Sequence, residues 1–163
     1  FSTLTFRNTQ KKIMTLQDIV TLDCTKCAVP ASSKKRILEQ ICLLAAEKMG
    51  DCSASDLLDS ILNREKMGST GIGNGIAIPH GRLTNTDKAM AVLLTTEKAI
   101  DFDAIDNTAV DIFICLFVPQ ESTQEHLNTL QSIAQLFSDR KTAKQVRKCT
   151  NDLELFNLIQ QKN

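Results

Sequence analysis

The sequence predicts an α/β domain with a covered sheet, on three observations. Helical periods stand before, between and after short apolar runs. The longest such run, Ile112 to Val118, is continuously apolar over seven residues, as in a central strand covered on both faces. The 163 residues, 42% of them apolar, suffice for one domain. With seven Phe and no Trp or Tyr, its core must be largely aliphatic.

The elements follow in order. Residues 1–13 (FSTLTFRNTQKKI) show no clear period and are read as an N-terminal extension, with the domain over 14–163. Cys24-Thr25-Lys26-Cys27 matches C-x-x-C. No second Cys or His pair has zinc spacing, and Pro30 opposes a helix starting there, so the two are read as incidental thiols. From Ser32, SSKKRILEQICLLAAEKMG carries Ile37, Ile41 and Leu44 at helical spacing. Ser32 or Ser33 caps that helix and Gly50 ends it. Ser53-Ala-Ser-Asp56 resembles a capping box and opens a second helix, with Leu57, Leu58, Ile61 and Leu62 on one face, running to about Lys66. Ile76–Ile78, Ala89–Thr95 and Ala109–Val118 read as strands. Glu121–Phe137, Lys141–Cys149 and Asp152–Gln160 read as helices.

Composition narrows the function. Nineteen basic and nineteen acidic residues cancel, which leaves no electrostatic footprint for nucleic acid or an anionic membrane. The lack of Tyr and Trp removes the usual platforms for stacking single strands. The longest apolar run is too short to span a bilayer. With no apolar segment of the export type after the first residues, the expectation is a cytoplasmic protein with reduced thiols.

Four of the six glycines fall in residues 71–81 (GIGNGIAIPHG), beside His80, one of only two histidines. Such a stretch has the composition of an anion cradle. It is not a P-loop, because Asn74 and Gly75 follow Gly68 and Gly73 where Lys and Ser or Thr are needed. It is not a dinucleotide loop either, since G-x-G-x-x-G ends on Ile from either start. Ser69, Thr70, Gly71, Gly73 and Asn74 form the candidate phosphate-binding loop. Pro79 fixes the backbone ahead of His80, and Gly81 leaves it open behind, placing the imidazole at the end of a short strand. A neutral imidazole, with an ordinary pKa of about 6.5, is a nucleophile towards phosphorus at neutral pH. Convergent amides would stabilise the resulting dianion. A histidine in a mere turn is the plainer alternative, and five neighbouring glycines count against it.

Two further residues fit that chemistry. Arg64 lies on the inward face of the second helix, nearest the loop. Its guanidinium either forks a phosphate or complements the helix dipole. His126 continues the face of Leu130, Ile133 and Phe137. Periodicity alone makes it a core histidine; its place in the first turn also allows a hydrogen bond to a phosphoryl oxygen across the sheet edge.

REKMGSTGIGNGIAIPHG (Arg64–Gly81) resembles the phosphorylation-site motif of type-2 IIA proteins of the bacterial phosphotransferase system, the mannitol/fructose class. FDAIDN (Phe102–Asn107), the apolar strand ending in Val118-Pro119, and EHLNTL (Glu125–Leu130) extend the likeness to roughly residues 15–160. The resemblance implies His80 as phosphoacceptor through Nε2, with His126 and Arg64 as its active-site neighbours. It implies one five-stranded mixed sheet with helices on both faces, a phosphotransferase component that works as a carrier, and no metal or nucleotide cofactor. The phosphoryl group would come from phosphoenolpyruvate through an HPr-type carrier. GSTGIGNGIAIPHG, with Asn74 where sugar-specific members often carry an acid, is most similar to the nitrogen-regulatory branch. Its members control partners such as potassium-transport and nitrogen-metabolism regulators. A sugar-specific IIA that passes phosphate to a separate IIB is the alternative.

Overall fold

The computed structural model describes residues 14–84, 88–121 and 123–162. The reading of 1–13 as an extension lies outside them. At the start, the Thr15 N–H donates to Asp18 Oδ2 at 3.0 Å, and one helical turn, α1 (Leu16–Ile19), follows. β1 (Val20–Val29) comes next. The sequence reading has neither element. β1 is irregular against its neighbour between Val20 and Thr25 and between Lys26 and Val29, which erases the alternation that marks a strand. Cys24 and Cys27 lie on this strand and pack into opposite layers, so the C-x-x-C pair does not converge on one site.

The first two predicted helices form as read. Ser33 Oγ accepts from the Arg36 N–H at 3.2 Å to open α2 (Lys34–Met49), and Gly50, at φ 75°, closes it. Ser53 Oγ accepts from the Asp56 N–H at 3.1 Å to open α3 (Ala54–Glu65). Then come β2 (Gly71–Gly73), β3 (Ile76–Ala77), β4 (His80–Leu83), β5 (Met90–Ile100) and β6 (Val110–Pro119). The chain ends in α4 (Thr123–Ser138), α5 (Arg140–Lys148) and α6 (Asp152–Gln160).

The sheet is mixed, in the order β1-β5-β6-β3-β2, with β4 also on β6. It has six strands rather than the expected five, and Pro79 is the reason. β3 and β4 run parallel to β6 in one unbroken register, Ile76 opposite Ile112 and His80 opposite Leu116. Ile78-Pro79 interrupts the pairing because proline has no N–H to give the ladder. The Pro79 carbonyl still accepts from the Leu116 N–H at 2.9 Å. The six segments therefore occupy five lanes.

β6 is the central strand the apolar run predicts. Phe113, Cys115 and Phe117 face a layer built by Ile37, Leu38 and Ile41 of α2 and Leu57 and Ile61 of α3. Ile112, Ile114 and Leu116 face the other layer, built by Ile133 and Phe137 of α4, Val146 of α5, and Leu155 and Ile159 of α6. Helices cover both faces, as an α/β domain with a buried sheet requires.

Candidate functional site

The local sequence sets His80 more firmly than composition suggests. It is the first residue of β4, not the last of the preceding strand, and backbone pairing to Leu116 anchors it. Gly81 next to it serves close packing. A Cβ there would stand 2.9 Å from Ser60 Oγ and 3.3 Å from Ser60 Cβ, so only glycine lets α3 lie directly on β4. Ser60 Oγ takes the Arg82 N–H at 2.9 Å and donates to the Arg82 carbonyl at 3.3 Å, which ties helix to strand. One turn on from Ser60, Arg64 then reaches the imidazole. Sequence reasoning missed Ser60; its only signal is the small residue one turn before Arg64. A Gly81→Val substitution should part α3 from β4 and cost about 1–3 kcal/mol. The check is a lower urea midpoint at unchanged m.

Arg64 Nε donates to His80 Nε2 at 3.2 Å, and Arg64 Nη1 donates to the Gly68 carbonyl at 2.9 Å. On the far side of the ring, His80 Nδ1 lies 3.0 Å from the Ile78 carbonyl. A carbonyl can only accept, so Nδ1 carries the proton and Nε2 holds the lone pair. Two independent neighbours thus select the same tautomer. Burial, more than any other cause, pushes the His80 imidazole below its ordinary pKa; the Ile78 bond works against it, and the Arg64 charge adds to the lowering. The half-buried ring turns its unprotonated Nε2 towards a guanidinium.

His126 is buried, 6% exposed, in the first turn of α4. Alternation along β4 places it on the same side of the sheet as His80. Gly81 faces α3, so its neighbour His80 faces the layer that α4 covers.

The glycine stretch is a hairpin, not an open cradle. β2 and β3 pair antiparallel around Asn74-Gly75, both at positive φ (58° and 81°), the geometry of a type I′ turn. N-G between two short apolar runs is a strong sequence signal for this. The amides go to the chain's own acceptors: Thr70 N–H to Glu65 Oε1, Gly71 N–H to Ser69 Oγ, Asn74 N–H to Asp106 Oδ2. Ser69 Oγ donates to the Phe102 carbonyl, and Gly71 packs on Ala104. The structure therefore joins Arg64 to His80, whereas Ser69, Thr70, Gly71, Gly73 and Asn74 serve the hairpin and the 101–107 loop. On the other side, Arg147 grips Asp111 and donates to the Asn74 carbonyl, fixing the turn to α5. Among the described residues, no group of three or more His, Cys, Asp or Glu could hold a metal ion. No helix among them is long and apolar enough to cross a membrane.

The chain matches a known family over most of its length. Residues 18–162 match the family described as phosphoenolpyruvate-dependent sugar phosphotransferase system, EIIA 2. The nitrogen regulatory protein of Klebsiella oxytoca is 45% identical over 145 residues, covering 88% of this chain and 89% of that protein. The crystal structure of nitrogen regulatory protein IIA-Ntr from Neisseria meningitidis superposes with a TM-score of 0.80 at 32% identity, over 88% of this chain and 97% of that one. IIA mannitol from Escherichia coli, at 19% identity and a TM-score of 0.66 over 81% and 92%, shares the fold. The chain belongs to the EIIA type-2 family of the phosphoenolpyruvate-dependent sugar phosphotransferase system, in its nitrogen-regulatory IIA-Ntr branch.

Proposed function

We propose that this protein is a phosphocarrier whose output is regulatory: His80 accepts a phosphoryl group from an HPr-type carrier, and the charged state alters its partners. The observation that carries this is the tautomer lock on His80, with Nδ1–H on the Ile78 carbonyl and Nε2 facing Arg64. Nε2 attacks the phosphorus of the carrier's phosphohistidine. The new N–P bond forms as the donor's N–P bond breaks, and the departing imidazole keeps the electron pair. The ring of His80 becomes cationic, and the Ile78 carbonyl on Nδ1–H stabilises it. As the phosphorus approaches, the Arg64 Nε–H leaves the Nε2 lone pair, and the guanidinium turns its donors to the phosphoryl oxygens. His126 donates to another of those oxygens. The reaction needs no metal or nucleotide cofactor.

The surroundings suit a protein donor. Met67, Ile72 and Ile105, on the segments that flank the Arg64 end of the site, expose apolar side chains. A dianion placed beside these exposed side chains would create or block docking by electrostatics. On the family's pattern, the partners are regulators of potassium transport or nitrogen metabolism, and the protein works in the cytoplasm.

The test is incubation with phosphoenolpyruvate, enzyme I and an HPr-type carrier, followed by intact mass. One acid-labile phosphoryl group, mapped to the peptide that holds residue 80, is the expected result. A folded protein that takes none from any cognate carrier would refute the reading.

A further inference from the structure

One ion pair in this chain joins two helix ends, each charge at the end that its helix dipole disfavours. Glu65 is the last residue of α3, where the helix dipole disfavours an anion, and Lys34 is the first of α2, where it disfavours a cation. The Glu65 side chain is also almost fully buried, 5% exposed, which adds a desolvation cost. Neither placement serves helix stability. The two meet at 2.9 Å, Lys34 Nζ on Glu65 Oε1. Thr70 supplies further donors to the carboxylate: its N–H to Oε1 at 3.4 Å and its hydroxyl to Oε2.

The contacts make a mechanical chain. Glu65 ends α3 and Thr70 immediately precedes β2, so their bonds close the short connection between helix and hairpin. Gly68 lies inside that closed loop, and its carbonyl holds Arg64 Nη1 at 2.9 Å. Lys34 extends the chain to the 101–107 loop: its Nζ lies 3.4 Å from the Phe102 carbonyl and 4.4 Å from the centre of the Phe102 ring. We propose that Glu65 is a positioning residue: with Lys34 and Thr70 it clamps residues 65–70, so that the Gly68 carbonyl keeps Arg64 Nε on His80 Nε2. This rests on the phosphocarrier reading for its consequence, but not for its geometry. A guanidinium left loose loses its aim at the nitrogen that reacts, and small misplacements of such groups cost rate steeply.

The test is a double-mutant cycle on single-turnover phosphoryl uptake from an HPr-type carrier, with Glu65→Ala, Arg64→Ala and both together. Glu65→Ala should slow uptake by about ten- to a hundred-fold. In the Arg64→Ala background the same change should slow it no further, because the guanidinium it positions is gone. An unchanged rate, or an equal loss in both backgrounds, would overturn the proposal; equal losses are what a merely structural role gives. Should Glu65→Ala fail to fold, Thr70→Val removes one donor at nearly constant volume and is read by the same criteria. A second readout is the nitrogen chemical shift of His80 Nε2, which should move the same way in Glu65→Ala and Arg64→Ala. If the wild-type protein accepts no phosphoryl group, the phosphocarrier reading fails on its own. The shift then decides: movement in both variants upholds the positioning, and none in Glu65→Ala overturns it.

Discussion

A His80→Ala protein should take up no phosphoryl group and keep its fold. Uptake needs a lone pair on an accessible nitrogen. Among the described residues His126 is the other imidazole, and it is buried at 6% exposure in the first turn of α4. The fold survives because β4 is held by its backbone pairing to β6 and by Ser60 on Arg82, not by the imidazole. The pH dependence sharpens the test. Burial first, and the Arg64 charge with it, hold the folded-state pKa of His80 below its ordinary value. The nucleophilic neutral form therefore persists below about pH 6.5, and the acid limb of uptake should lie on the acid side of that value. Arg64→Ala removes one lowering cause, so with the same carrier the limb should move to higher pH. A limb that stays put would show that the guanidinium does not act on the ring. Linkage gives the matching stability effect. A depressed folded pKa means that the unfolded chain binds the proton first as pH falls. Stability is then full above about pH 6.5 and declines as pH drops through the folded value. His80→Ala should flatten that decline in urea titrations.

Local chemistry made much of this legible in advance. α2 and α3 announce themselves because their caps are sequence-local: Ser33 and Ser53 each bind an amide three residues on, and Gly50 supplies the left-handed exit. β6 reads as central because both its faces are apolar. Arg64 was traceable because its position on a helical face is arithmetic. What stayed hidden depends on partners far along the chain. β1 loses its period-2 signature to two irregularities and to Ala28 at φ 53°. β4 begins at His80 only because β6 offers it a ladder, and nothing within HGRL says so. Gly81 was read as open space around the imidazole, when its purpose is contact with Ser60. The Lys34–Glu65 pair joins two helix ends, and in sequence each looks like an ordinary surface charge. Asn74-Gly75 is different in kind: the hairpin signal was present, and the glycine count obscured it.

Phe113→Ala should be strongly destabilising and should also reach the site. Phe113 is fully buried at the centre of β6, and its ring meets Phe102 edge-on with centroids 5.5 Å apart at 63°. Truncation costs about 3–5 kcal/mol through lost burial and a residual cavity, a large share of the roughly 5–15 kcal/mol that holds a domain folded. The cavity opens beneath Phe102. The Phe102 carbonyl accepts from Ser69 Oγ at 3.0 Å and from Lys34 Nζ at 3.4 Å, so a ring free to sink releases both from the 101–107 loop. Phe137 is the matched control, 1% exposed in the opposite layer among Ile133, Val146 and Leu155. Phe137→Ala should lower the urea midpoint by a comparable amount without disturbing the Lys34 contacts. Compared well below both midpoints, Phe113→Ala should slow phosphoryl uptake and Phe137→Ala should not. Equal slowing would mean that uptake follows global stability alone, and that the α2–α3 layer has no privileged hold on the Arg64 end of the site.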